Sequence, residues 1–544
     1  MKKIFKNKKV IFILIFVVIT LIRFLISFNL KSFYISNLSY DDGLMVKQMK
    51  ELISGNYLGV YDDFCLIKGI VFPLVLAFCK TIHLSYSIIL TTLYIFSVIY
   101  FIRPFEKLIK SKWILFIFYT LLLFNPITYS SELFQRLYRN SISIIELLFF
   151  LGVTIRIILS EDKTKKSILN YVLLGFITSI MYLTREDNIW TKIILGFIIV
   201  YKCLQNKNLK NKRFKIILTS LIPLVVLTIN LNIVSFINYK KYNIYTYNEI
   251  QKSEFKHTFR KVLQIKDDEK KDKVSVPRTT FFKLVDNVDS FPITKRKVNQ
   301  YYKVLIDDTG EIYNGNIVWY FRQFVFKNKE FKDGKEAEEY FKKMGEEIDK
   351  AFEDGRFEKE FAFSSILLNV PTYEEFTSMH KNLFNIVVYT TAYKNIKTYT
   401  DFGDKKYDDE VDAYRIVNLD SHTTENIFEK NDKKYEIIRI IYMILIIILS
   451  PVALIIYFKN IEKKDVYNLI TSIVFFIYLV ILAGVSYTDA TAFPTMRYLC
   501  LGNLYILQSI FIILNMYRLY IKNENIDLVK QKSKKIKKKS ALSN

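Results

Sequence analysis

Two neighbouring aspartates and a later lysine stand in the first polar stretch after the apolar N-terminal segment. The sequence there reads Tyr40-Asp41-Asp42, and Lys68 precedes a second apolar run. A carboxylate within hydrogen-bond reach of a hydroxyl group can take its proton, and an ammonium group can hold a phosphate as a point charge. These residue types predict acid–base chemistry on a charged substrate, with Asp41 and Asp42 as candidate catalytic residues and Tyr40 as a supporting one.

The acidic pair also has a structural explanation. Apolar residues recur at helical spacing after it, namely Leu44, Met45, Met49, Leu52 and Ile53. This pattern predicts an amphipathic helix that lies on the outer leaflet and ends at Gly55. An aspartate at the start of a helix can bond free N–H groups and match the helix dipole. Because a cap needs only one oxygen, capping and chemistry both remain open for Asp41 and Asp42.

Lys68 lies near the start of the run Ile67–Phe78, which is too short to cross a bilayer and is interrupted by Pro73. The run predicts a helix in the outer membrane interface. From such a helix the ammonium group could simply extend to water. We favour a contact with a lipid phosphate, because Gly69 leaves the backbone open to a close approach.

A second acidic pair, Asp62 and Asp63, follows in the same loop. We interpret it as a turn or surface feature that supports the site. A divalent cation that bridges both acidic pairs is an alternative, since hard cations take carboxylate oxygens. The four cysteines form no CxxC motif and have no nearby histidine, so they predict neither a zinc site nor a disulfide framework.

The turn Arg185-Glu186-Asp187 packs three charges between two apolar runs. Charges at this depth are costly unless they pair or line a wet cavity. One explanation is an internal pair of Arg185 with Glu186 or Asp187. The other is a substrate site in which Arg185 binds phosphate, and the sequence favours neither.

Further arginines lie in two other polar turns. Arg136 and Arg139 could bind phosphate through two nitrogens each, because the guanidinium group is planar. Arg497 opens the last apolar run beside Tyr498, where its alternative role is an interfacial anchor. We expect Asp41, Lys68, Arg185 and Arg497 to converge on one wet cavity.

Composition identifies the setting of these residues. The chain is 51% hydrophobic and its apolar residues come in long runs, which predicts a polytopic α-helical membrane protein. About ten spans are predicted: Val10–Phe28, Leu84–Ile102, Trp113–Phe124, Ser141–Leu159, Ile168–Leu183, Ile189–Leu204, Phe214–Ile237, Glu436–Phe458, Val466–Tyr487 and Tyr498–Tyr520.

Charge predicts the orientation. Lys and Arg concentrate in every second connector and in both termini, which places the termini in the cytoplasm of a plasma-membrane protein. The formal net charge of +25 is explained in this way and does not indicate nucleic acid. The tail Lys530–Lys539 is expected to rest on anionic headgroups.

The chain is predicted to divide into four parts. These are an N-terminal membrane domain, 1–237, with a catalytic outer loop, 31–82; an extracytoplasmic soluble domain, 238–435; C-terminal membrane helices, 436–520; and a basic cytoplasmic tail, 521–544. The soluble domain has ordinary globular composition, including helical periodicity in Gly334–Met344, and is expected to be mainly helical or mixed.

Together these residues resemble the GT-C glycosyltransferases, polytopic enzymes that use polyprenyl-phosphate-linked sugars. The likeness is carried by Tyr40-Asp41-Asp42, Lys68-Gly69 and Arg497-Tyr498. The sequence most resembles a bacterial branch of that superfamily. That branch also has an Arg-Glu-(Asp/Glu)-x-Ile-Trp turn, here Arg185–Trp190, and a long middle ectodomain. The ectodomain differs in place and composition from the insertions of the mannosyl- and aminoarabinose-transferases, so the acceptor does not carry over.

The resemblance implies an inverting hexosyl or pentosyl transfer at the outer face of the membrane. Asp41 or Asp42 would be the general base, and Lys68, Arg185 and Arg497 would bind the lipid phosphate. The donor would be a polyprenyl-phosphate sugar, and the acceptor a glycan, lipid or protein of the cell envelope.

Two other classes of protein stay open. A glycolipid transporter or flippase would use charged residues within the spans, namely Arg23, Glu146 and Arg156. A non-catalytic envelope assembly protein would use the aspartates for capping alone.

Overall fold

Helices form nearly all of the regular structure. The protein is represented by a computed structural model that describes residues 8–30, 32, 41–160, 165–205, 213–305, 310–394, 396, 425–493 and 501–540. The helices are α1 (Lys8–Ile26), α2 (Asp42–Ile53), α3 (Val71–Thr81), α4 (Tyr86–Ile102), α5 (Lys112–Leu123), α6 (Asn140–Ile158), α7 (Lys165–Thr184), α8 (Trp190–Gln205), α9 (Arg213–Tyr242), α10 (Glu254–Leu263), α11 (Arg278–Asn287), α12 (Lys295–Leu305), α13 (Asn314–Phe326), α14 (Gly334–Glu353), α15 (Tyr373–Thr391), α16 (Glu425–Phe458), α17 (Val466–Thr491) and α18 (Gly502–Ser540). Strand-like pairing within these ranges is limited to isolated bridges. The predicted α-helical class is confirmed.

Eight of the described helices are long and apolar enough to cross a membrane: Tyr86–Lys107, Lys112–Tyr129, Asn140–Ile158, Ser167–Thr184, Ile216–Tyr242, Tyr435–Phe458, Val466–Thr491 and Gly502–Ile521. Each coincides with a predicted span. The two other predicted spans correspond to shorter helices, since the apolar part of α1 covers Val10–Ile26 and α8 has 16 residues. A helix of that length rises about 24 Å, less than the roughly 30 Å hydrocarbon core. Among the described residues, eight helices therefore meet the length and composition of a span, whereas the sequence predicted about ten.

α6 is the central helix of the bundle. Its apolar window is 89% buried, against 22% for the windows of Ile216–Tyr242 and Tyr435–Phe458. It packs against α4, α7 and α18, so protein surrounds it on most sides. A helix held in this way has little freedom to shift, because interiors are close-packed. The residues at its first turn, from Arg139 onward, are therefore fixed in place.

Several connections meet at one end of the bundle, which we call the loop face. It consists of the first loop (41–70), the turn 185–189, the middle segment (243–372) and the end of α17. Glu249 donates its backbone N–H to the Leu66 carbonyl at 2.9 Å. The Gln251 amide donates to the Glu186 carbonyl at 2.9 Å, and the Asn314 amide to the Thr491 carbonyl at 2.9 Å. These bonds join four stretches of chain that are distant in sequence.

The middle segment has an aromatic core, built from α10 to α14, that is continuous with the core of the bundle. Phe259 of α10 lies 5.1 Å from Phe321 of α13, and Phe255 lies 5.1 Å from Phe341 of α14, between ring centroids. All four rings are buried. The helix expected at Gly334–Met344 is the first half of α14, capped by Asp333, whose carboxylate accepts from the Glu336 N–H at 3.0 Å. The middle segment is therefore a mainly helical unit.

α15 packs against the membrane bundle, although the sequence placed it within the predicted soluble domain. The helix leaves the middle segment and packs along α17 and beside α18. The Ser486 hydroxyl donates to the Met379 carbonyl at 2.6 Å, and the Gln508 amide donates to Thr391 at 2.9 Å. Tyr393, just beyond α15, is fully buried and accepts from the Asn125 amide at 3.2 Å. The chain thus re-enters the bundle well before residue 435, which its mixed composition did not indicate.

α3 corrects the role expected of Pro73. The helix has 11 residues, so it is too short to span, as predicted. Pro73 is its third residue and lies in the first turn, where backbone N–H groups have no partner within the helix. The proline is therefore compatible with the start of the helix and does not interrupt it.

A buried ion pair fastens the first loop to the middle segment. Arg322 of α13 contacts Glu249 at 2.6 Å, and the two side chains are 0% and 1% exposed. The same guanidinium group donates to the Asp63 carbonyl at 2.8 Å, and the Tyr61 hydroxyl donates to Glu249 at 3.2 Å. Arg322 thus links the first loop to the middle segment, although the two are far apart in sequence.

Replacement of Arg322 by Met is expected to lower the free energy of unfolding by about 3–5 kcal/mol, because it leaves the Glu249 carboxylate buried without its partner. Denaturant unfolding of the purified protein in detergent, followed by tryptophan fluorescence, measures the change. Arg356→Met is the matched control, since the Arg356–Asp354 pair is exposed and should contribute at most about 1 kcal/mol. Equal losses in the two variants would contradict the fastening role.

Candidate active site

Asp41 and Lys68 form an ion pair at the loop face. Lys68 Nζ lies 2.9 Å from Asp41 Oδ1, and the side chains are 9% and 24% exposed. Asp41 occupies the N-cap position of α2, yet its side chain makes no cap hydrogen bond. The side chain of Asp41 therefore does not cap α2. Its carboxylate is held by a cation and remains partly open to solvent.

The surroundings of Asp41 stabilise its charged form. Burial alone would raise its pKa, but the charges of Lys68 and Arg139 and hydrogen bonds from Lys68 and Tyr138 act more strongly in the opposite direction. The pKa of Asp41 consequently lies well below its usual range. The group is ionised at neutral pH and is a weak base while Lys68 stays beside it.

The Lys68 ammonium points into the protein. It lies 4.5 Å from the centroid of the Trp319 ring on α13, so that it stands between a carboxylate and an aromatic face. The close approach expected at Gly69 is present, but the protein's own backbone makes it. A Cβ built on Gly69 would lie 1.8 Å from the Leu183 carbonyl oxygen at the end of α7. Gly69 therefore allows α7 to pack against the residue that follows the lysine.

Asp42 has a different environment from Asp41. Arg136 Nε and Nη2 donate to its two oxygens at 2.7 and 2.9 Å, and the side chains of Asp42 and Arg136 are 0% and 4% exposed. A carboxylate enclosed in this way cannot reach an acceptor hydroxyl. Arg136 is likewise committed to Asp42 and is not open to phosphate. Of the two candidate bases, Asp41 is the one whose carboxylate is partly exposed.

The helix that carries both aspartates is packed within the protein. Leu44, Met45 and Met49 of α2 are buried, and so is Gln48 on a neighbouring position. α2 packs against α3. Protein and not lipid therefore covers Leu44, Met45 and Met49, contrary to the expectation that α2 lies on the outer leaflet, whereas Ile53 at its end is 46% exposed.

Arg139 connects the Asp41–Lys68 pair to the turn 185–189. Its guanidinium group contacts Glu186 at 2.5 Å and donates to the Thr184 carbonyl at 3.1 Å. It also acts on the charge of Asp41. Arg139 therefore interacts with both the Asp41 carboxylate and the turn 185–189.

Arg185 forms the internal pair that the sequence left open. It donates to the two oxygens of Asp187 at 2.9 and 2.5 Å. Glu186 pairs with Arg139. The side chain of Arg185 is 12% exposed and that of Asp187 is 59% exposed. The pair closes the turn, and a phosphate role for Arg185 stays a prediction.

Asp62 is a turn residue, as interpreted from the sequence. Its carboxylate accepts the backbone N–H groups of Phe64 and Cys65 at 2.9 and 2.8 Å and pairs with Lys47 at 2.8 Å. Burial and the neighbouring Asp62 raise the pKa of Asp63. Over the residues that the structure describes, no three His, Cys, Asp or Glu side chains cluster as metal ligands. The divalent cation stays a prediction.

A cavity of about 540 Å³, which we call the loop-face cavity, opens beside Arg139. Its polar wall comes from the loop face and the adjoining ends of α7 and α8, and includes Tyr182, Arg185, Glu186, Trp190, Tyr247, Gln251 and Thr488. Its apolar wall comes from α17 and includes Val480, Ile481, Gly484 and Val485. Aromatic rings, amides, hydroxyls and a cation on one side, with hydrocarbon on the other, suit a molecule that has a polar head and an apolar chain.

The structure brings together part of the expected set. Asp41 and Lys68 touch each other and lie next to Arg139, whereas Arg185 lines the neighbouring loop-face cavity. Asp41 and Lys68 do not line that cavity. The expectation that Asp41, Lys68 and Arg185 line one cavity is therefore wrong. Tyr40, Arg497 and Tyr498 lie outside the described residues.

Sequence reasoning missed Tyr138 and Trp319. Tyr138 stands between two arginines that were considered, so its position next to them was an available signal. Trp319 offered none, because it is far from Lys68 in sequence and lies in the middle segment.

The fold and the lengths of its spans define a polytopic α-helical membrane protein. The chain is similar to ArnT from Cupriavidus metallidurans, whose crystal structure in the apo state aligns over 93% of this chain and 78% of that one, with 10% sequence identity and a TM-score of 0.33. No protein-family model and no curated protein matches the sequence. The function must therefore be inferred from the site itself.

Replacement of Gly69 by Ala is expected to lower the free energy of unfolding by about 1–3 kcal/mol, because the new methyl group overlaps the Leu183 carbonyl and the backbone must move. Denaturant unfolding in detergent measures the change. Gly196→Ala on α8 is the control, since a Cβ there meets nothing within 4 Å, and it should be neutral or stabilising by up to about 1 kcal/mol. A Gly69→Ala protein as stable as the wild type would refute the close contact.

Proposed function

We propose that the protein is a membrane glycosyltransferase of the GT-C type, which moves a sugar from a polyprenyl-phosphate carrier to an acceptor hydroxyl group. The observation that carries the proposal is the Asp41 carboxylate, which makes no cap bond, is partly exposed and lies 2.9 Å from Lys68. A base and a phosphate-binding cation in contact are what such a transfer needs. The proposal also includes inversion of configuration at the anomeric carbon and a hexose or pentose as the transferred sugar.

In the proposed reaction Asp41 takes the proton of the acceptor hydroxyl group. The hydroxyl oxygen then forms a bond to the anomeric carbon of the sugar, on the face opposite the phosphate. The bond between that carbon and the phosphate oxygen breaks, and its electron pair leaves with the polyprenyl phosphate. Lys68 and Arg139 stabilise the negative charge that develops there.

The pairing of Asp41 with Lys68 fits this sequence of events. Without donor, Lys68 holds the pKa of Asp41 below its usual range and the carboxylate is a poor base. When the donor phosphate binds, it shares the ammonium group with Asp41, so the pKa of Asp41 rises. The base would then become stronger only once the donor is in place.

The loop-face cavity supports a donor site next to the base. Its polar wall suits a sugar and a phosphate, and its apolar wall on α17 suits the first part of the polyprenyl chain. Glu186 lines the cavity and pairs with Arg139, so the cavity and Asp41 are joined through one arginine. Arg185 and Arg497 remain proposed phosphate ligands.

The setting of the reaction follows from the charge distribution of the sequence. We place the loop face outside the cytoplasmic membrane and both termini inside, which requires the shorter helices α1 and α8 to cross the membrane as well. The middle segment would present the acceptor, a glycan, lipid or protein of the envelope.

The transporter alternative has less support. Arg23 donates to the Leu123 carbonyl at 3.3 Å, Arg156 to the Tyr100 carbonyl at 3.3 Å, and Glu146 accepts from Thr184 at 2.5 Å. Each charged group is bound to a different neighbouring helix, so the three do not line one path. The non-catalytic alternative required capping by the aspartates, and Asp41 makes no cap bond.

The Asp41→Asn variant tests the proposal. It should fold normally and lose transfer by about 10²- to 10⁴-fold, the usual contribution of a general base. The assay follows the release of decaprenyl phosphate from a panel of synthetic decaprenyl-phosphate sugars, with cell-envelope extract as the acceptor source. Full activity of the variant would remove the base assignment, and no release by the wild type from any sugar would remove the transfer.

Two further variants serve as controls for Asp41→Asn. Glu51→Gln makes the same chemical change on the same helix, keeps an oxygen for the Asn56 amide, and should retain wild-type release. Asp42→Asn should instead lower the free energy of unfolding, because Arg136 would stay buried without a carboxylate.

The Gly484→Leu variant tests the loop-face cavity. A Cβ at Gly484 meets nothing within 4 Å, so a larger side chain can begin there without a clash and would extend along the apolar wall. Release of decaprenyl phosphate should fall at least tenfold, with the effect in KM for the donor. Gly196→Leu places the same side chain at an equally open helical position outside the cavity and should have no effect. Equal behaviour of the two variants would exclude the cavity as donor site.

A further inference from the structure

A second cavity, of about 670 Å³, lies at the end of the bundle away from the loop face. The two cavities lie at opposite ends of α6. Asn140 at the start of α6 lines the loop-face cavity. Arg156 in the last turn of α6 is within electrostatic reach of Arg103, which lines the second cavity. Sixteen residues of helix separate Asn140 from Arg156, about 24 Å. We call this second cavity the far-face cavity. Nothing in the proposed transfer uses it.

The walls of the far-face cavity are apolar. α1 contributes Phe12, Ile13 and Phe16, and α5 contributes Leu115 and Phe116. Ile13 is 50% exposed, so the wall continues onto the outer surface of the bundle. Such a wall offers hydrocarbon contact to a chain that enters from the membrane.

The rim of the far-face cavity is cationic. Arg103, Lys110 and Lys112 line it together with one carboxylate, Glu106, so the rim carries two excess positive charges. All four side chains are exposed. In the part of the chain that the structure describes, none of the three cations forms an ion pair. The rim therefore presents positive charge that the described protein does not neutralise.

Trp113 indicates the depth of this rim in the membrane. Its ring is 56% exposed and lies 5.5 Å from Phe12 and 6.1 Å from Phe116, between centroids. Tryptophan favours the level of the lipid headgroups, where an apolar ring can keep its N–H in contact with water. Lys110 and Lys112, which immediately precede Trp113 in the chain, are therefore at the height of lipid phosphates.

We propose that the far-face cavity binds an anionic phospholipid, with its phosphate on Arg103, Lys110 and Lys112 and one chain along α1 and α5. The rim supplies the charge complementarity, since basic sites between membrane helices suit anionic headgroups. The apolar wall selects a lipid over a free phosphate, because inorganic phosphate would leave that wall in contact with water. If the basic residues only set the orientation of the chain, no individual lipid would be retained there.

Lipid retention by the purified full-length protein tests the proposal. Delipidated protein in detergent is titrated with phosphatidylglycerol or phosphatidylcholine, and bound lipid is counted by native mass spectrometry. The wild type should retain phosphatidylglycerol at least tenfold more tightly. The combined Arg103→Gln, Lys110→Gln and Lys112→Gln variant should bind it about a hundredfold more weakly, because each cation near the surface changes affinity by roughly fivefold. Equal retention of the two lipids by the wild type would overturn the proposal.

The control for charge is the combined Lys459→Gln, Lys463→Gln and Lys464→Gln variant. These lysines are exposed, lie in another connector and do not line the cavity. The variant loses the same charge and should keep the wild-type preference for phosphatidylglycerol. A loss as large as in the first variant would show general attraction to a basic surface and would overturn the site.

The control for the apolar wall is Ile13→Trp, which keeps every cation and fills part of the cavity from an exposed position. It should weaken phosphatidylglycerol retention at least tenfold. Unchanged retention, or displacement of the lipid by millimolar inorganic phosphate, would identify a phosphate site without a chain and would contradict the proposal.

Discussion

The contact between Asp41 and Lys68 requires the first loop to fold back on itself against three other parts of the chain. α7 packs on the backbone at Gly69, α13 supplies the ring beneath Lys68, and Arg139 at the start of α6 adds a second cation. Each of these supports belongs to a different segment. The chemistry proposed for Asp41 is therefore a property of the whole loop face and not of the short acidic motif.

Burial of charge explains why the loop face is so closely tied together. An ion taken out of water is costly unless a partner replaces its hydration. Asp42 is matched by Arg136, and Glu249 by Arg322, with both partners almost fully buried in each pair. Each pair joins residues that are far apart in sequence, so pairing also sets the position of the segments. Asp41 differs because a quarter of its side chain remains exposed, which leaves room for a substrate.

Local patterns predicted much of the fold but little of the site geometry. The eight long helices follow from unbroken apolar runs, and α14 from its helical periodicity and its Asp333 cap. α15 was missed as part of the bundle because its polar residues gave it a globular composition. Within the site, Asp41 and Lys68 were identified by residue type, and the Arg185–Asp187 pair by proximity in sequence. Trp319 and Arg322 were not, since Lys68 and the Asp63 carbonyl, which they contact in the first loop, lie about 250 residues earlier in the chain.

The sequence by itself determined that this chain spans a membrane many times and that carboxylates, a lysine and arginines gather in its polar turns. Both properties are local, because span length and residue type can be counted along the chain. Only the tertiary structure decided which aspartate remains partly open, since Asp41 and Asp42 are adjacent and chemically identical. Their difference comes from the partners that packing brings to each one, a lysine with solvent beside it for Asp41 and an enclosed arginine for Asp42.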